Sequence, residues 1–354
     1  MVIRQTEEGR TLMANNNKKK KKKRMSYKKR IAIIVIALLV AILALVAYIL
    51  FGNSGKDEKT DDILEGYTTI AFFGVDNRSN GNFDSGNSDT VMLCNINNYT
   101  KQVEIVSVYR DTLMDVDGEG TFRKCNYAFN HGGMDNAIAM LNRNLDLQIK
   151  DYVAVDFMAL VNAVDAVDGI DLELSDAEVE AMNGGYIGEV GAIVGKEGNP
   201  VSEGMQHLDG VQATAYCRIR STVGDDFKRT ERQRTVLTQI IAKAKSANPA
   251  QLASLISGVF PDVDTSLEMD QLIYLAKNMM DYNLGETKGF PFSKSTDRFG
   301  DGIGSAVVPC SLETNVVQLH QELYEDTEYE ASDEVKNISD DLIHFTGYGA
   351  NDGD

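Results

Sequence analysis

The chain is poor in the side chains that build metal centres, with four histidines and four cysteines in 354 residues. His131, His207, His320 and His344 are scattered without ligand spacing, which disfavours zinc. Cys94, Cys125, Cys217 and Cys310 contain no C-x-x-C pair, and Cys94 and Cys217 sit in apolar stretches that suit buried small hydrophobes better than nucleophiles. No G-x-S-x-G occurs, which disfavours serine-hydrolase chemistry. Gly191 to Lys196 has the wrong glycine spacing for a nucleotide phosphate loop, and Glu197 stands where Ser or Thr is required. There is no internal repeat.

Positive charge is also scarce, except at the start. Residues 1–30 hold twelve of the 35 Lys and Arg but only two of the 53 Asp and Glu. The remainder therefore carries 23 basic against 51 acidic residues, a formal charge of −28 that repels nucleic acid. Nor do thirty N-terminal residues without a helix-turn-helix pattern make a DNA reader. Residues 31–51 contain no charge, and at about 1.5 Å per helical residue they span roughly 30 Å of hydrocarbon. The expected organisation is a basic cytoplasmic N-terminus (1–30), a transmembrane signal anchor (31–51), a polar linker (52–66), an exported domain (67–325) and an acidic C-terminal tail (326–354). A cleaved signal peptide is the rival reading, but Gly52-Asn53-Ser54-Gly55 offers no A-x-A-like site. The positive-inside rule places the domain outside a cell membrane that the chain crosses once.

Within that domain, 43% hydrophobic composition supports a large core. Strands are expected at Tyr67–Val75, Thr90–Ile96, Val103–Val108, Tyr152–Val155 and Ile170–Leu174, with a turn at Asn97-Asn98. Helices are expected at Asp135–Leu147, where Ile138, Leu141 and Leu145 repeat at helical spacing, and at Phe157–Val167, Asp209–Tyr216, Phe227–Ala247 and Asp270–Tyr282. Strands alternating with helices argue for an α/β sandwich. Residues 183–200 are glycine-rich and read as an irregular surface segment.

Against this acidic background, Arg218, Arg220, Arg229 and Arg232, followed by Gln233, fall within one short stretch. On a helix, Arg229, Arg232 and Gln233 lie at i, i+3 and i+4. Arg218 and Arg220 share a face only if extended. Guanidinium groups present paired planar donors that fit phosphate oxygens, so the cluster marks a site for a phosphorylated ligand. Asp76 closes the first strand and Asp89 opens the second; two carboxylates at one sheet edge suit Mg²⁺, although an Asx turn or loop amides explain either one singly. Arg110 and Asp111 end the third strand near the same edge. Asp226 stands where a helix N-cap is also an adequate explanation.

These residues carry a resemblance. Gly74-Val75-Asp76-x-Arg78, Ser88-Asp89-Thr90, Arg110-Asp111-Thr112, Lys124-x-Asn126-Tyr127-Ala128 and Gly132-Gly133 are followed by Gln206-His207-Leu208-Asp209-Gly210, Ala215-Tyr216-x-Arg218-Ile219-Arg220 and Asp226-x-x-Arg229-Thr230-Glu231-Arg232-Gln233. In order, over residues 68–244, they resemble the LytR-CpsA-Psr family. The resemblance implies an α/β/α sandwich on a central mixed sheet, with a hydrophobic tunnel for a polyprenyl chain. It also implies a transferase that moves an anionic glycopolymer, such as a teichoic acid or capsular polysaccharide, from a polyprenyl-pyrophosphate carrier to peptidoglycan. Asp76 and Asp89 then correspond to ligands of Mg²⁺, and Arg78, Arg110, Lys124, Arg218, Arg220, Arg229, Arg232 and Gln233 to pyrophosphate contacts. Arg110, Asp111, Asp226 and Arg229 correspond to the catalytic group. A polyprenyl-pyrophosphate phosphatase and a non-catalytic wall-binding or attenuator protein are the alternatives. Asn87, Tyr109 and Cys125 depart from the Arg, Pro and Leu common in the family, and the first removes a possible phosphate contact.

Overall fold

A computed structural model describes residues 66–76, 83, 86–220, 225–247, 258–259, 262–278 and 281–353. The expected N-terminus, membrane span and most of the linker lie outside the described residues, as does Arg78. Among the described residues no helix is long and apolar enough to cross a membrane.

Strands β1 (Tyr67–Asp76), β2 (Asn87–Asn97) and β3 (Gln102–Val108) form an antiparallel meander, and a short hairpin follows, β4 (Leu113–Asp115) and β5 (Phe122–Lys124). Helix α1 (Cys125–Leu145) leads to β6 (Asp151–Val155), α2 (Phe157–Ala166) and β7 (Ile170–Leu174). Next come α3 (Asp176–Ala181), one π-helical turn (Met182–Tyr186), α4 (Ile187–Val194), β8 (Gly204–Leu208), α5 (Gly210–Arg218) and the long α6 (Asp225–Ser246). The chain closes with β9 (Val263–Thr265), α7 (Met269–Asn278), β10 (Asn283–Phe290), β11 (Lys294–Phe299), β12 (Gly304–Pro309), α8 (Leu312–Tyr324) and α9 (Asp333–Thr346).

The central sheet has six strands in the order β10-β3-β2-β1-β6-β9 and is mixed, because β10 pairs parallel to β3 and β6 parallel to β1. Successive strand residues point to opposite faces, and both faces are buried. Phe73, Val75, Leu93 and Val106 on one face pack with Leu141 of α1, Val316 of α8 and Val335 of α9. Ile70, Met92 and Ile105 on the other meet Leu237 of α6 and Leu272 of α7. The result is the expected α/β/α sandwich. A separate core joins α2, the two-stranded β7–β8 sheet, α4 and α5 to α6 through Val161, Leu172, Val190, Ala215 and Val236. Helix α6 thus belongs to two cores, which carries its arginines to the junction between them.

Three expectations need correction. Residues 183–200 are not irregular through their length, because the π turn and α4 fold there and bury Ile187, Val190 and Val194 at i, i+3 and i+7. The expected helix at Asp135 starts at Cys125; Gly133, at φ 66° and ψ −159°, kinks it, and that glycine hid the earlier turns. The acidic 326–354 segment is not a tail throughout, since α9 inserts Val335 and Leu342 into the main core. Ser332 caps α9 by accepting from Val335 N, Asp333 and Glu334 complement the N-terminal dipole, and Gly347 ends it in the left-handed conformation.

Candidate active site

The site is built on an irregularity in the sheet. Gly74 pairs with Thr90 but Val75 pairs with Ser88, so Asp89 is the extra residue of a β-bulge, a device that re-aims a side chain. Gly74 is required there, because a Cβ would lie 2.8 Å from Thr90 Cβ. Asp76, opposite Asn87, and Asp89 both line one cavity of about 890 Å³. Its walls are apolar where Phe72 and Met92 of the sheet face Phe157 and Leu160 of α2 and Val236 and Leu237 of α6. Its charged lining is Asp76, Asp89, Asp156, Glu180, Glu189, Arg218, Arg220 and Arg229, and Gln233, Thr90, Thr214 and Tyr186 add neutral polar groups.

Asp89 is the hub. Arg110 Nη1 donates to its Oδ1 at 2.6 Å and Arg220 Nη2 to its Oδ2 at 2.7 Å. Arg229 Nη1 stands 3.7 Å from Oδ2, and Arg229 Nη2 donates to the Asp89 carbonyl at 3.3 Å. Arg229 is 1% exposed, so its charge is stabilised by this neighbourhood rather than by water. Three guanidiniums around one carboxylate make the immediate neighbourhood of Asp89 positive, which favours a further anion there, while Asp76, Asp156, Glu180 and Glu189 carry negative charge elsewhere on the lining.

Arg218 ends α5, and Ile219 is extended, so Arg218 and Arg220 both reach the cavity as expected for that geometry. The Arg218 guanidinium stacks 4.5 Å from the centroid of Phe157 and reaches Glu189 Oε2 at 3.4 Å. Its Nε and Nη1, and Oε1 of Gln233, are buried with no hydrogen-bond partner among the described residues. Such groups are costly to leave unmade unless a ligand completes them.

Other expected site residues stand elsewhere. Arg232 does not line the cavity, contrary to its expected phosphate role. It lies 60° around the helix from Arg229 and is spent on structure: Nε donates to Glu178 Oε1 at 2.9 Å and Nη1 to Ile219 O at 3.2 Å. Burial opposes the charge on Glu178, but the Ser175 backbone N–H, the Arg232 guanidinium and the Ser175 hydroxyl together hold its carboxyl below the ordinary range. Arg110, Asp111 and Lys124 are also absent from the cavity lining, and Arg110 is joined to the site through Asp89. Lys124 Nζ is 3.1 Å from Asp111 Oδ1, and Asp111 Oδ2 is 3.7 Å from Arg110 Nε, so this pair braces Arg110 from behind. Asp226 lies in the first turn of α6, and its side chain is outside the described residues.

Residues that sequence reasoning missed come from the glycine-rich stretch. Tyr186 and Glu189, at i and i+3, both line the cavity, and Tyr186 Oη accepts from Arg220 N at 3.1 Å. The i, i+3, i+7 apolar spacing of Ile187, Val190 and Val194 was the signal for this helix. Asn87 accepts from Asn130 Nδ2 at 2.9 Å, so the residue that replaces the common arginine ties β2 to α1. Burial pushes the thiols of Cys125 and Cys217 up to about 12, which leaves them inert as nucleophiles at neutral pH.

A charged mouth on an apolar cavity defines a protein that can hold an amphiphile with an anionic head. The chain belongs to the LytR_cpsA_psr family, whose model matches residues 51–300. It is 29% identical over 260 residues to a polyisoprenyl-teichoic acid–peptidoglycan teichoic acid transferase, TagU, of Bacillus cereus (strain AH820), which spans 72% of this chain and 79% of that protein. The fold is similar to that of B. subtilis TagV, with a TM-score of 0.59 at 22% identity over 75% of this chain and 99% of the other. It is also similar to TagT with bound octaprenyl pyrophosphate lipid, with a TM-score of 0.52 at 18% identity over 80% and 91% of the two chains.

Proposed function

We propose that the protein transfers an anionic glycopolymer from a polyprenyl-pyrophosphate carrier to peptidoglycan. The observation that carries this reading is the arginine ring around Asp89 at an apolar cavity, a shape matched to a diphosphate head on a prenyl chain. The transferase name of the Bacillus cereus relative and the lipid in the TagT complex support it.

In this reading a sugar hydroxyl oxygen of peptidoglycan attacks the phosphorus attached to the glycan. A new P–O bond forms, the bond from that phosphorus to the bridging oxygen breaks, and polyprenyl phosphate leaves with the electron pair. Arg220 and Arg229 stabilise the charge that develops on the leaving phosphate, and a carboxylate, for which Asp226 is the candidate, takes the hydroxyl proton. Phe157, Leu160 and Leu237 bind the prenyl chain. Asp76 and Asp89 would hold Mg²⁺ as hard oxygen donors, which requires Asp89 to give up part of its pairing with Arg110 and Arg220 as the diphosphate takes over those guanidiniums. Among the described residues no group of three His, Cys, Asp or Glu could hold a metal, so phosphate oxygens would complete the shell. Mg²⁺ there would supply further neutralisation of the diphosphate. The chain is anchored through residues 31–51 with the domain outside the membrane; protease added to intact protoplasts then digests the domain, whereas protection would reverse the topology.

The test is transfer of a labelled polyprenyl-pyrophosphate glycan to peptidoglycan fragments, with released phosphate followed in parallel. Label should couple to the acceptor, and chelator should stop coupling until Mg²⁺ is restored. Phosphate release without coupling would instead make the protein a phosphatase, and neither product from folded protein would leave a binding module.

A further inference from the structure

Two arms of the arginine ring come from distant parts of the chain, Arg110 from the end of β3 and Arg229 from α6, and both converge on Asp89. Those ion pairs cannot fix the spacing once a phosphate takes over the guanidiniums. A second contact joins the same arms without depending on any ligand. Tyr109, directly before Arg110, is 8% exposed and meets Phe227 of α6 edge-on, with ring centroids 4.6 Å apart at 83°. Arg234, seven residues and about two turns further along α6, also stands beside Tyr109. Phe227 and Arg234 thus form one stripe of α6 against Tyr109, while Arg229 and Gln233 form the neighbouring stripe on the cavity.

The cluster is closely fitted. Lys294 Nζ stands 5.8 Å from the Tyr109 ring centroid and 5.4 Å from that of Phe227, so one cation faces both rings. A Cβ on Gly289 of β10 would lie 2.2 Å from Tyr109 Oη, so glycine is needed where the phenol passes the strand. Thr112 N donates to the Tyr109 carbonyl at 2.9 Å, which closes the turn that carries Arg110.

We propose that Tyr109 is a positioning residue: through Phe227 it sets the distance between the β3 and α6 arginines, and so the geometry in which they grip a pyrophosphate. This assignment rests on reading the cavity mouth as a pyrophosphate site. Planar donor pairs lose strength steeply when displaced, so a loosened clamp weakens the grip even though every arginine remains.

The experiment measures binding of inorganic pyrophosphate to the full chain in detergent by calorimetry, beside thermal unfolding. Tyr109→Ala and Phe227→Leu should each weaken binding about tenfold, the scale expected for loss of an aromatic pair. The double variant should be no weaker than the worse single one, because both changes remove the same contact. Tyr109→Phe keeps the ring and should bind like the wild type. Phe227→Leu preserves most of the volume and gives the answer should Tyr109→Ala fail to fold. Wild-type affinity in folded Phe227→Leu, or losses that multiply independently in the double variant, would overturn the clamp while leaving the transferase reading intact. Tight pyrophosphate binding by a wild-type chain that transfers no glycan would remove the transferase reading and leave the clamp. No pyrophosphate binding by the wild type would remove both.

Discussion

The arginines of the cluster have different tasks. Arg220 is about half exposed, with its guanidinium on Asp89 and its backbone N–H on Tyr186, whereas Arg229 is buried and Arg232 is a tie between helices. Arg220→Lys keeps the charge but loses the planar fork, so pyrophosphate binding should weaken by about 1–3 kcal/mol, the scale of one charge-assisted hydrogen bond. Its melting temperature should barely move; a lowered melting temperature with unchanged affinity would make Arg220 structural. Arg232→Ala should behave the opposite way. It strips Glu178 of its guanidinium and should cost roughly 1.5–3 kcal/mol of stability while the folded variant still binds pyrophosphate. The pH dependence follows from the same pair. The folded carboxyl of Glu178 is depressed, so its contribution is complete above the ordinary carboxylate value and is lost as pH falls through the folded value. Melting curves between pH 6 and 3 should therefore fall less steeply for Arg232→Ala than for the wild type, and equal slopes would contradict the ion-pair account of Glu178.

The elements show which sequence signals survive folding. The strand at β1 was legible through its short apolar run Ile70–Phe73, and β7 through the alternation of buried Ile170, Leu172 and Leu174 with exposed Asp171 and Glu173. Helix α5 was legible through Asp209, which accepts from Gln212 N while the Gln212 side chain returns to the Asp209 N–H. What glycine and acid obscured were the π turn, α4 and α9, since both compositions usually mark loops even where apolar spacing is helical. Glycine has a different meaning at Gly210. There a Cβ would lie 2.2 Å from Val161 O, so α5 crosses α2 at a distance only glycine permits. Gly210→Ala should destabilise by about 1–3 kcal/mol, the cost of overpacking, despite the better helix propensity of alanine. Urea unfolding checks this, and an unchanged midpoint would mean that the two helices do not approach so closely.

At the scale of the molecule, the charged half of the site was legible and the apolar half was not. Asp89, Arg110, Arg218, Arg220, Arg229 and Gln233 stand out because such a concentration of guanidiniums is unusual in an acidic chain. Phe72, Phe157, Leu160 and Leu237 have the spacing of ordinary core, and only the fold reveals that they face a space rather than one another. That space exists because α6 serves two cores and the π turn with α4 walls off the side. The central claim is therefore that head and chain of one lipid bind together here. Its most direct test is the structure of the full chain with a polyprenyl pyrophosphate. The expected result has phosphate oxygens within hydrogen-bonding reach of Arg220 and Arg229, with the prenyl chain against Phe157, Leu160 and Leu237. A lipid seated elsewhere, or a head group bound away from these arginines, would contradict it.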